Sequence, residues 1–115
     1  MSAVAVPQRT YDLGQVEQIP LGEGRRFVVG HVPVAVFRQR DGRVFATQAI
    51  CPHKAGPLAD GIIGAGKVVC PLHAYKFDLE SGKPLDSECK ALRTFPVQVD
   101  ERGHLVLTFQ AREAD

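Results

Sequence analysis

The stretch Ile50-Cys51-Pro52-His53-Lys54-Ala55-Gly56-Pro57-Leu58-Ala59-Asp60-Gly61, with its sequel Val69-Cys70-Pro71-Leu72-His73, decides how this chain is read. Each half supplies one thiol and one imidazole, in the overall pattern C-x-H-x16-C-x2-H. Cys51 and His53 stand two apart, so one tight turn aims both inward. Cys70 and His73 stand three apart, which suits a second turn of different shape. Pro52 and Pro71 fix φ inside the turns and leave no amide hydrogen there to satisfy. Gly56, Gly61, Gly64 and Gly66 allow the backbone to pass close to whatever the four donors hold.

Structural zinc sites pair like with like, as C-x2–4-C and H-x3–5-H. Here each half mixes one Cys with one His, which suits a binuclear iron–sulfur cluster with two Cys on one iron and two His on the other. Exchanging two thiolates for neutral imidazoles makes the site less negative and an added electron easier to accept. The potential then falls in a range of roughly −150 to +300 mV, above all-cysteine plant-type ferredoxins. The expected chemistry is single-electron transfer, with Cys51, His53, Cys70 and His73 as both metal ligands and cofactor-binding residues.

Outward from the two motifs, the pattern is short and β-like. Phe27-Val28-Val29, Gly30-His31 and Val32 to Phe37 read as a hairpin, and the second run is apolar on both faces, as a central strand requires. Asp41-Gly42 marks a turn into Val44-Phe45-Ala46. Lys67-Val68-Val69 is a brief strand delivering Cys70, and Ala74 to Phe77 follows His73 and ends at Ser81-Gly82. Thr94 to Val99 and Leu105-Val106-Leu107 form a last pair across Asp100 to Gly103. No window carries a 3.6-residue apolar period over three turns. The fold class is all-β, a sandwich or small barrel of antiparallel sheets. The two ligand loops, at about residues 50–61 and 68–77, are a paired insertion inside a single domain spanning residues 1–115. Residues 1–9 and the last five read as frayed ends.

Composition adds limits. The chain has 115 residues, 44% hydrophobic and 23% charged, with a net charge of +1, so neither nucleic acid nor an anionic membrane is indicated as a partner. The first residues lack a basic start and an adequate apolar run, so no secretory signal is expected. Nothing approaches the about eighteen apolar residues that span a bilayer. Three cysteines are an odd count, contrary to a disulfide framework; with Cys51 and Cys70 as ligands, Cys89 is left as a thiol, in keeping with a reducing cytoplasm.

With these residues in view, the chain resembles the Rieske-type [2Fe–2S] proteins. The similarity rests on Cys51 to Gly61, Val69 to His73 and Phe77-Asp78-Leu79-Glu80-Ser81-Gly82, and runs from about Asp12 to Leu107. Within that superfamily it is most similar to the small subunit of assimilatory NAD(P)H-dependent nitrite reductase; free ferredoxins that serve aromatic-ring dioxygenases share most of the motif. The resemblance implies the Rieske fold, one [2Fe–2S] cluster per chain, and a large partner subunit carrying flavin, sirohaem and a [4Fe–4S] centre, which reduces nitrite to ammonia. High-potential respiratory members add a disulfide across the loops, where this chain has Gly56 and Leu72, and hydroxyl donors where it has Tyr75 and Phe77. The resemblance therefore implies a low-potential centre.

The remaining polar residues read more plainly. Lys54, Lys67 and Lys76 flank the cluster loops and read as a solvated rim rather than as a surface that steers an acidic partner. His31 and His104 lie beside turns without ligand-spaced partners. Asp78 before Ser81-Gly82 is turn chemistry. No nucleophile–base pair, phosphate loop or dinucleotide fingerprint is present, so the chain alone is expected to catalyse nothing.

Overall fold

In the computed structural model the described residues are 8–52, 56–71, 75–85 and 90–110. They form β1 (Gln8–Gln15), β2 (Glu23–Val29), β3 (Val32–Arg38), β4 (Val44–Gln48), β5 (Ile62–Gly64), β6 (Lys67–Val69), β7 (Lys76–Asp78), β8 (Thr94–Phe95), β9 (Val97–Val99) and β10 (His104–Gln110), with 3-10 turns at Val16–Gln18 and Leu58–Asp60. Three antiparallel sheets result, in the orders β1-β10-β9, β2-β3-β4-β8 and β5-β6-β7. The all-β expectation holds.

The four-stranded sheet is the middle layer. Along β3 the residues alternate between two cores: Val34 and Val36 pack with Phe95, Leu105, Leu107 and Phe109, whereas Ala35 and Phe37 pack with Cys51, Leu58, Val68, Cys70 and Phe77. All four β3 residues are fully buried, so the doubly apolar run is the central strand that the sequence predicts. The tilted Phe95 and Phe109 rings, with centroids 4.8 Å apart, sit at the centre of the first core. Gly24 on β2 lies opposite Phe37, and a Cβ there would come within 2.7 Å of the Phe37 ring.

Two-residue turns set the hairpins. Val29 pairs with Val32 across Gly30-His31, both at positive φ, the geometry that matches the strand twist. Gly64 pairs with Lys67 across Ala65-Gly66, again both at positive φ.

Three expectations change. Thr94 to Val99 is two strands rather than one: Pro96 has no N–H for a ladder, and the chain passes there from the middle sheet into the β1-β10-β9 sheet. Gln8 and Arg9, read as a frayed end, pair with Gln110 and Phe109. The strand after the second motif is Lys76–Asp78, later than read, while Ala74 lies outside the described residues. The strands β1 and β5 were not read from sequence. Residues 1–7 and 111–115 lie outside the described residues, as does Cys89.

Candidate metal centre

The two cysteines occupy equivalent places in two loops. Ile50 bridges Pro57 and Val69 pairs with Lys76; the next residue inward is Cys51 in one loop and Cys70 in the other. The Cys51 N–H donates to the Gly56 carbonyl at 2.8 Å, and the Cys70 N–H donates to the Tyr75 carbonyl at 2.8 Å. Each loop is thus closed by a bond from its cysteine to the fifth residue onward.

The first loop hangs from β4 by few ladder contacts and is anchored from its sides. Leu58 donates its N–H to Ala49 and is itself fully buried. The Gln48 side chain donates to the Ile50 carbonyl at 2.7 Å and accepts from the Arg93 N–H at 2.7 Å. The second loop rides on the regular β6–β7 hairpin. Behind it, the Asp78 carboxylate accepts from the backbone and the hydroxyl of Ser81, each at 2.8 Å. The Ser81 N–H is the chief reason that the Asp78 carboxyl sits below the usual carboxylate range. This is the turn role read from the sequence.

Gly61 joins the loops. Its φ of −74° is ordinary, so what matters is room: a Cβ would collide with the Val69 carbonyl next to Cys70. Gln39, one of two buried polar residues among those described, ties the β5–β6 turn to the middle sheet. Its carbonyl oxygen accepts from the Gly66 N–H, and its amide donates to Asp41 at 2.9 Å. The sequence gives no sign of this buried tie.

Cys51 and Cys70 are each 2% exposed and are thiols rather than halves of a disulfide. Both belong to the same apolar cluster, walled by Phe37, Phe77 and Leu79. A thiolate buried there would be costly unless a positive centre compensated it, and two thiolates facing one apolar core suit iron. Cys51 and Cys70 therefore fit half of the donor set of a [2Fe–2S] site. His53 and His73 fall outside the described residues, and among the described residues no group of three His, Cys, Asp or Glu side chains gathers. Phe77 is fully buried, and a phenyl ring brings no hydroxyl to the core.

Of the other polar residues, His31 is exposed. His104 does more than lie beside its turn: its Nδ1 lies 2.9 Å from the Asp12 carboxylate, which Arg102 also contacts at 2.7 Å. These residues stand ninety or more apart in sequence, so no local pattern shows the cluster. Lys54 lies outside the described residues; Lys67 and Lys76 are exposed. A groove of about 420 Å³ near Phe45 and Phe95 is lined by neither cysteine. Among the described residues no helix is long and apolar enough to cross a membrane.

Comparison with known proteins agrees with this geometry. Residues 9–96 match the Rieske [2Fe–2S] domain. The ferredoxin component of the naphthalene 1,2-dioxygenase/salicylate 5-hydroxylase systems of a Ralstonia species is 30% identical over 94 residues, which cover 81% of this chain and 89% of the relative. A Mycobacterium tuberculosis structure with the provisional name NADH-dependent nitrite reductase small subunit shares the fold at a TM-score of 0.85, with 23% identity over 91% of this chain and 98% of that one. A structure provisionally named the small subunit of an NADPH nitrite reductase superposes at 0.77, with 28% identity over 86% of this chain and 97% of that one. With two buried thiols in equivalent loops and a match that runs over residues 9–96, the chain belongs to the Rieske [2Fe–2S] domain family.

Proposed function

We propose that this chain is the small subunit of an assimilatory NAD(P)H-dependent nitrite reductase, working in the cytoplasm, with its [2Fe–2S] cluster held by Cys51 and Cys70 on one iron and by His53 and His73 on the other. The observation that carries the ligand assignment is the pair of buried thiols at matching positions in one apolar cluster. When bound, the cluster takes up and releases one electron at a time. The chain's own residues supply the rest. Phe37, Phe77 and Leu79 keep water from the thiolate side, and the carbonyls of Gly56 and Tyr75 hold the cysteine amides and fix the loop shape. The partner in this reading is the large subunit with flavin, sirohaem and a [4Fe–4S] centre, supported by the resemblance along the chain and by the 28% identical structure. The complex reduces nitrite to ammonia, and this chain alone turns over no substrate.

A second reading, a free ferredoxin passing electrons from a reductase to an aromatic-ring oxygenase, is favoured by the 30% identity to the Ralstonia ferredoxin component. Ammonium formation separates the two. The reconstituted chain, added to the purified large subunit with NADH or NADPH and nitrite, is expected to form a stable complex and support ammonium production. Lack of any complex, together with fast reduction by a flavoprotein reductase and delivery to an oxygenase, would establish the second reading instead. A rhombic EPR signal of low average g in the dithionite-reduced chain, lost in Cys51→Ser and in His53→Cys, tests the ligands themselves; an unchanged signal in either variant overturns the assignment.

A further inference from the structure

We propose that the outward face of the β5-β6-β7 sheet is the surface on which the large redox partner docks, and that this partner presents an apolar patch bordered by carboxylates. The inference rests on the nitrite reductase reading above and adds to it the location and chemistry of the contact.

The register assigns the face. Ile63, Val68 and Phe77 are cross-strand neighbours and belong to the inner core. The flanking row, Ile62, Val69 and Lys76, therefore points the other way, since side chains alternate along a strand. Leu85 extends this row: Phe77 bridges Pro84, and the Leu85 N–H donates to the Lys76 carbonyl at 3.0 Å. Ile62 is 76% exposed and Leu85 43%. Two large apolar side chains thus stand at the ends of one row, with Val69 and the Lys76 stem between them, the kind of surface that marks an interaction site.

The next outward row gives the charge. Lys67 pairs with Asp78, and the Asp78 N–H donates to the Lys83 carbonyl at 2.9 Å, so Lys67, Asp78 and Lys83 line up. The Asp78 carboxylate is already engaged by Ser81. With Lys76 in the first row, the described residues of this face include three lysines and one aspartate, on a chain whose net charge is only +1. A partner bearing carboxylates around an apolar patch complements it. The place is also right for electron transfer: Val69 and Lys76 are the pair that closes the second loop, and Val69 precedes Cys70. Lys67 and Lys76, which the sequence presents as part of a solvated rim, thus share a sheet face with the exposed Ile62 and Leu85.

The test uses the reconstituted chain and the purified large subunit in isothermal titration and stopped-flow mixing. Four proteins are compared: wild type, Ile62→Glu/Leu85→Glu, Lys67→Glu/Lys83→Glu, and Val99→Glu on the β1-β10-β9 sheet, 39% exposed. Visible and EPR spectra confirm that each holds its cluster. The apolar pair is expected to weaken binding about 30-fold or more, as buried interface anchors do. The lysine pair is expected to slow association about tenfold at low salt, a gap that closes at high salt. Val99→Glu should bind as wild type does. If both double variants bind like wild type, this face is not the docking surface. If wild type itself fails to bind, the partner reading is overturned, and the occupant proposed here with it.

Discussion

The two outer sheets of this molecule solve opposite problems. The β1-β10-β9 sheet is built from the ends of the described chain: Gln8 pairs with Gln110 and Tyr11 with Leu107, and a seven-residue strand, β10, forms its centre. The β5-β6-β7 sheet comes from one local stretch, residues 62–78, in strands of three residues each. The long-range sheet closes the fold and carries none of the four proposed ligands. The local sheet leads into and out of Cys70, yet has few ladder bonds of its own. The rigidity of the metal centre is borrowed: the first loop is held by side-chain ties, the second by a short hairpin, and both lean on the second core.

The sharpest way to break this comparison is to remove a ligand. Cys70→Ser is expected to abolish the [2Fe–2S] absorption and EPR signal entirely, while amide exchange protection persists in β1, β9 and β10. Collapse of protection in all three sheets together would show that the two halves are one cooperative unit.

Next in size is Phe77, fully buried at the heart of the second core. Phe77→Ala should cost about 3–5 kcal/mol, in line with large-to-small core substitutions. Urea unfolding followed by circular dichroism measures the loss, and the visible spectrum shows whether cluster retention falls with it. A cost below about 1 kcal/mol would mean that the core collapses around the gap, unlike a packed interior.

How much of this was legible beforehand follows the same division. The two cysteine loops are contiguous motifs, and β3 is apolar on both faces, so the two buried thiols and the central strand are legible in residues 34–37, 51–52 and 70–71. The β1 strand could not. Its sequence, QRTYDLGQ, is mostly polar because only Tyr11 and Leu13 lean on the core, and its partner lies at the other end of the chain. Pro96 was visible in the sequence, yet that it moves the chain between sheets depends on tertiary placement. Gln39 is the clearest omission: an ordinary polar residue before a turn proves to be a buried connector.

That connector supplies a smaller effect. Gln39→Leu keeps much of the volume and leaves the half-buried Gly66 N–H without its acceptor, which should cost about 1 kcal/mol, the net worth of one hydrogen bond. If borrowed rigidity is the right description, amide exchange should quicken in β5 and β6 and leave β10 unchanged. A loss spread evenly over both outer sheets would contradict it. Gln39→Glu retains an acceptor for Gly66 and places a second carboxylate beside Asp41, so it should restore the bond and introduce a new repulsion.

The smallest effect belongs to the long-range sheet. The Asp12 carboxyl is held at about 2, first by the Gly14 N–H and then by His104 and Arg102. An ordinary aspartate titrates near 3.9 or so when unfolded. A group whose folded pKa is depressed adds stability that is complete above the unfolded value and is lost as pH falls through the folded one. Asp12→Asn should therefore lower the urea midpoint by a constant amount from about pH 5 to 7, a gap that narrows below about pH 4 and closes near pH 2 or so. Because the carboxylate is solvent-facing, the gap should be small and shrink with salt. Between pH 5 and 7 or so the visible spectrum should not change, since Asp12 and the thiols lie in different layers. A spectral change in Asp12→Asn within that range would couple the two outer sheets after all, through the middle sheet that both cores share.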